Sequence, residues 1–160
     1  MKANFLKLFT VSAALLIVLG LADTTFAQRR ARGKSFTKAQ VDRIIKNVEQ
    51  RTDRFVSQFD KSLDRSRLNG TKREDKLNEK ARDLETATDE LRREFDRRDS
   101  WIENKDEVRR CLNIAADINA AMRSRKFNRA TETNWSNVRI ELNALAQAYK
   151  LPVVGSGAYR

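Results

Sequence analysis

The chain has 160 residues, with 33 Lys or Arg against 22 Asp or Glu, a formal net charge of +11 and no histidine. Lacking histidine, it has no ordinary neutral-pH acid/base group, no Ser-His triad or Cys-His pair, and no His-ligated haem or Glu-x-x-His di-iron set. A lone cysteine, Cys111, precludes an internal disulfide and c-type haem attachment, and the chain has neither a glycine-rich phosphate loop nor a zinc spacing.

The N-terminus reads as an address. Lys2 and Lys7 supply positive charge, residues 11–21 (VSAALLIVLGL) are an apolar run, and Thr25 and Ala27 occupy the −3 and −1 positions of a cleavage site before Gln28. This three-part pattern predicts a secretory signal peptide over residues 1–27, cleaved after Ala27, and export to the periplasm or beyond the cell. The rival reading is an uncleaved anchor. Residues 8–22 carry no charge, but a spanning helix needs roughly 20 apolar residues. No cysteine follows the apolar run, which argues against a lipid-modified terminus.

From Gln28 onward the net charge is +10, unevenly spread. Residues 28–37 form a basic tail, in which Arg29, Arg30, Arg32 and Lys34, with Lys38 just beyond, meet no acidic residue. Residues 39–108 are nearly balanced, with 17 basic and 18 acidic side chains, whereas residues 109–160 hold nine against three. These five cations of the tail are candidate contacts to an anionic surface or polymer, such as lipid headgroups, envelope polysaccharide or extracellular DNA. Sequence-specific nucleic-acid reading is not expected, because the tail has one aromatic residue, Phe36, and no reading motif. The plain alternative is a solvated tail with no ligand.

Four apolar stripes follow. The first runs Val41, Ile45, Val48, Thr52, Phe55, Phe59, Leu63; the second Leu77, Ala81, Leu84, Thr88, Leu91, Phe95. The third is Val108, Leu112, Ala115, Ile118, Met122, and the fourth Trp135, Val138, Leu142, Leu145, Tyr149. Coil-like steps of three and four place each set on one face of a helix, where a strand would alternate by two. The pattern predicts an all-α, antiparallel up-down four-helix bundle over residues 38–150, with helices near 38–68, 72–98, 105–124 and 129–150 and a C-terminal tail over 151–160. The first two helices are the longer, so the hairpin between them is expected to project past the rest.

The junctions carry capping chemistry. Thr37 with Gln40, Thr71 with Glu74 and Asn104 with Glu107 have capping-box spacing, and Asn128 or Thr131 could start the last helix. Gly70 stands where a helix end favours a left-handed residue. Asn69-Gly70-Thr71 and Asn134-Trp135-Ser136 also match the N-glycosylation acceptor, but the first is accounted for as a hinge and the second falls on an expected core tryptophan. The hairpin tip is rich in charge, and Arg65, Arg67, Lys72 and Arg73 are its candidate partner-contacting residues; a solvated, idle tip is the alternative. Asp42–Lys46, Asp89–Arg93, Glu94–Arg98 and Asp106–Arg110 are acid-before-base pairs that support helix at about 0.2–0.5 kcal/mol each. Cys111 adjoins the third stripe and reads as a buried thiol, with pairing to another chain as the alternative. Asp117, between Ala115 and Ile118, is the carboxylate nearest an apolar stripe. It reads as an edge residue bonded to an arginine.

The run LDRSRLNGTKREDKLNE (63–79), then ATDELRREFDRR (87–98), then WSNVRIELNALAQAYKL (135–151) resembles a family of small exported bacterial helical proteins without a known activity. The likeness rests on Leu63, Asp64, Ser66, Leu68, Gly70, Thr71, Glu74 and Asp75, and on Trp135, Val138, Arg139, Glu141, Leu142, Leu145, Ala146 and Tyr149. It implies a compact helical envelope domain and no chemistry. A second segment, FTKAQVDRI (36–44), is similar to the LTxxQ element of small periplasmic chaperones and stress adaptors. Thr37 and Gln40 match it, while Phe36 replaces the leucine.

Together these readings predict a non-catalytic envelope protein, without cofactor or metal, acting by binding or scaffolding. Its expected partner is another protein, an anionic envelope polymer or a peripheral membrane surface. A chaperone-like or stress-adaptor role is the alternative; a hydrolase would need Asp117 buried beside another acid.

Overall fold

The structure is a computed structural model and describes residues 35–158. The expected signal peptide and Arg29, Arg30, Arg32 and Lys34 lie outside the described residues. Within them the chain forms α1 (Lys38–Asp64), α2 (Lys72–Arg97), a 3₁₀ turn (Trp101–Asn104), α3 (Lys105–Ser124) and α4 (Arg129–Ala148). Each helix packs on its chain neighbours and α4 closes back against α1, so the fold is an all-α four-helix bundle.

The stripes meet as their spacing requires. Phe55, Leu91, Leu112 and Leu142, one from each helix, are all fully buried in a single core. Every position of the α1 stripe is buried. Leu77 and Met122, at the ends of the second and third stripes, are only half-buried, as helix ends open toward solvent. Phe55 stacks on Phe59 with ring centroids 5.0 Å apart and meets Trp135 at 5.1 Å. Burying one such ring contributes about 1.5–3 kcal/mol, so this aromatic file anchors α1 to α4. Two threonines sit in the same core: the Thr88 hydroxyl donates to the Glu85 carbonyl at 2.8 Å, whereas Thr52 Oγ1 has no partner among the described residues.

α1 ends four residues earlier than its pattern predicts. Ser66 is the cause: its Oγ accepts the Leu68 N–H at 3.0 Å, offering the backbone a partner outside the helical ladder. Short turns then carry the chain from Ser66 to Thr71, and Asn69 Nδ2 donates to the Asp64 carbonyl at 2.7 Å. Gly70 has φ +75°, and an added Cβ there would meet nothing within 4 Å. Its need for glycine is therefore conformational, not steric. Thr71 caps α2 by accepting the Glu74 N–H at 3.3 Å. Glu74, however, reaches past Thr71 and accepts the Gly70 N–H at 2.6 Å, so the box closes one residue further back than expected. The Thr37–Gln40 box is reciprocal, with bonds of 2.9 and 3.2 Å.

Asn104 does not cap α3. It is fully buried at the end of the 3₁₀ turn, where Trp101 and Tyr149 close that end of the bundle edge-to-face at 5.1 Å. The Tyr149 hydroxyl donates to the Trp101 carbonyl at 2.7 Å, and burial raises its pKa above the usual phenol range. α4 starts on Asn128, not Thr131, and ends in a Schellman turn. There Leu151 N–H donates to Ala146 C=O at 2.8 Å and Lys150 N–H to Gln147 C=O at 3.2 Å, with Lys150 at φ +53°.

Beyond that turn the chain does not trail away. Val154 is buried in the core and its N–H donates to Asn143 Oδ1 at 2.8 Å, while Leu151 and Val153 pack on the core's edge. A Cβ at Gly155 would lie 3.6 Å from Asn119 Nδ2, so this segment runs back between α3 and α4. Leu151, Val153 and Val154 thus complete the bundle's wall.

Candidate anion-binding site

Part of the surface charge is engaged in ion pairs among the described residues. Asp42–Lys46 and Glu94–Arg98 form as their spacing predicts, at 3.0 and 3.3 Å. Arg92, clamped between Asp42 of α1 and Asp96, ties the first two helices together. Its bonds hold the Asp42 carboxyl below its ordinary pKa despite partial desolvation. Arg98 joins Glu107 at 2.8 Å, and Arg51 joins Glu141 at 3.2 Å. Asp106 pairs with Arg109, and Arg110 reaches across to Glu90, in place of the expected Asp106–Arg110 pair. No Asp89–Arg93 pair forms among the described residues. Asp117 is exposed and pairs with Lys80 at 2.6 Å, so its partner is a lysine on the neighbouring helix and no second acid joins it.

Lys38, the one tail cation among the described residues, is also engaged. Its ammonium donates to the carbonyls of Arg98 and Asp99 at 3.0 and 3.3 Å, capping the end of α2. It is a structural clip at that end of the bundle.

The opposite end differs. Arg65, Arg67, Lys72 and Arg73 are exposed, as expected, and none makes an ion pair among the described residues. The structure separates them into two groups. Arg65 and Arg67 face the connection between α3 and α4, where they share a groove of about 640 Å³ with Arg125 and Lys126. Lys72 and Arg73 sit on the first turn of α2, beside Glu74 and Asp75, and do not line it. Arg125 and Lys126 are likewise unpaired among the described residues, and no carboxylate lines the groove. The Glu132 carboxylate accepts the Phe127 N–H at 3.3 Å.

Local structure builds this groove. The Phe127 ring packs on Phe59 at 5.3 Å, and Asn128 Nδ2 donates to Ser62 Oγ at 2.9 Å. These two contacts hold the α3–α4 connection against the last turns of α1. The hairpin tip is therefore leaned on by that connection and does not stand clear as an isolated arm, a consequence of α1 ending at Asp64. Arg125, Lys126, Phe127 and Ser62 were not singled out from sequence. Four basic residues in seven, Arg123 to Arg129, were the available signal, but which helix end they would meet depends on packing.

Elsewhere, Asn69 and Asn134 of the two acceptor motifs are exposed and half-buried respectively. Cys111 is fully buried, and desolvation pushes its thiol up to about 12. Among the described residues no group of three or more His, Cys, Asp or Glu is arranged to hold a metal ion, and no helix is long and apolar enough to cross a membrane. No protein-family model, curated protein or solved structure matches this chain.

Proposed function

We propose that this chain is an exported, non-catalytic envelope protein that binds anionic surfaces or polymers, in keeping with its resemblance to small exported helical proteins. The observation that carries this reading is the convergence of Arg65, Arg67, Arg125 and Lys126, none in an ion pair among the described residues, on one groove that no carboxylate lines, while Arg92 and Arg98 on the bundle shaft are paired with carboxylates. Unpaired cations keep their long-range field, which steers anions toward that end. In sequence, Arg29, Arg30, Arg32 and Lys34 form a second cluster of cations without an intervening acid.

The chaperone reading asks for an exposed apolar concavity. The large apolar side chains exposed among the described residues are Ile102 and Ile140, on different elements, which favours the anion-binding reading. Retention on dextran sulfate and on phosphatidylglycerol vesicles tests it. Deleting residues 28–34 together with Arg65→Ala and Arg67→Ala lowers the salt needed for elution, and unchanged retention overturns the proposal.

A further inference from the structure

We infer that the groove between the hairpin tip and the α3–α4 connection is a discrete site for one phosphate-bearing sugar unit. This deepens the anion-binding reading and rests on it, but it makes a narrower claim: a saturable pocket, not only a charged surface.

The hydroxyls in the groove argue for an anion. Ser62 is over nine-tenths buried, and its Oγ already accepts a bond from Asn128; Ser66 Oγ likewise accepts one from the Leu68 N–H. Each retains an O–H with no acceptor among the described residues. A hydroxyl that accepts one bond keeps its O–H to donate, beside a second lone pair. Two such donors therefore stand with four cations around one groove without a carboxylate. Donors thus outnumber the unfilled acceptors there, of which the Gln58 amide oxygen is one.

The number of donors favours phosphate over carboxylate. A carboxylate offers two oxygens, whereas a phosphate monoester offers three strong acceptor oxygens and more charge. Arg65, Arg67 and Arg125 carry planar forks suited to those oxygens, and Lys126 adds a point charge.

The rest of the ligand is set by size and by the apolar edge. The groove volume, about 640 Å³, exceeds what a bare phosphate fills and lies within the range of small-molecule sites. Leu68 and Phe127, both half-buried, supply an apolar border. A sugar ring, with an apolar face and hydroxyl rim, matches that border.

Calorimetric titration of the full chain with glucose 6-phosphate, inorganic phosphate and glucose tests the inference. Glucose 6-phosphate is expected to bind saturably, inorganic phosphate more weakly and glucose not at all. Arg67→Ala and Lys126→Ala, both at exposed positions, are each expected to weaken binding about tenfold, the scale of a charge-assisted hydrogen bond. Arg93→Ala, which removes one exposed charge from α2 outside the groove, should leave affinity within about threefold of the parent, as screening dictates. Circular dichroism checks that each variant keeps its helix content. Equal losses in all three variants, or inorganic phosphate binding as tightly as the sugar phosphate, overturn the inference. Retention on dextran sulfate with no saturable sugar-phosphate binding also overturns it, yet leaves the broader anion-binding reading standing; loss of both removes both.

Discussion

The Asn128 side chain holds two elements at once: its Nδ2 donates to Ser62 Oγ on α1 at 2.9 Å, and its Oδ1 accepts the Thr131 N–H of its own helix at 2.9 Å. One amide thus caps α4 and fixes the wall of the basic groove. Asn128→Ala should cost about 1–2 kcal/mol through the lost cap. Asn128→Asp keeps the acceptor but not the donor and should cost less. Urea unfolding of both variants checks the order; equal losses would mean that the Ser62 bond carries the effect.

Lys150 occupies the left-handed position of the Schellman turn with a side chain that disfavours it. Lys150→Gly removes that strain and should stabilise the fold by about 1 kcal/mol. The gain is read as a higher urea midpoint at unchanged m-value.

Glu49 and Asp53 on α1 face Glu85 and Asp89 on α2, with Arg92 acting on Glu49 and Arg82 on Glu85. Desolvation first, then mutual repulsion, raises the pKa of Glu49, Asp53 and Glu85 above their ordinary values. A carboxyl with a raised folded-state pKa binds more protons folded than unfolded, so its penalty is full above that raised value and fades as pH falls toward the ordinary one. Asp42 acts with the opposite sign, since its pairing with Arg92 and Lys46 is lost in acid. Asp53→Asn should therefore raise Tm at pH 7, with the gain disappearing as pH falls to 3.8, the ordinary Asp value. A Tm series across that range measures it.

Cys111 sits in the core with its thiol pushed up to about 12 by desolvation. The thiolate is the reactive form. Ellman's reagent should leave the native protein untouched and titrate one thiol once it is unfolded in guanidinium, and non-reducing gels should show monomer. Rapid labelling of the native chain would contradict this burial.

Much of the architecture was legible in residue order because helix is a local structure with a fixed period. The spacing from Val41 to Leu63 marked the buried face of α1, and Thr37, Thr71 and Gly70 marked helix boundaries through short-range chemistry. Where local signals competed, the reading was less complete. Ser66 ended α1 early by drawing off the Leu68 N–H, and Asn104 was taken into the core and not used as a cap. Leu151, Val153 and Val154 were read as a tail because three apolar residues without periodicity do not reveal the wall they complete.

Sequence alone determined which faces are apolar, where helices begin and end to within a turn, and that histidine-dependent chemistry is absent. Only the tertiary structure decided that Arg65 and Arg67 would share a groove with Arg125 and Lys126, some sixty residues away, while Lys72 and Arg73 would not. The physical reason is range. Helical periodicity and capping act over three or four residues, whereas a site assembled at the end of a bundle depends on where Phe127 lands on Phe59 and Asn128 on Ser62.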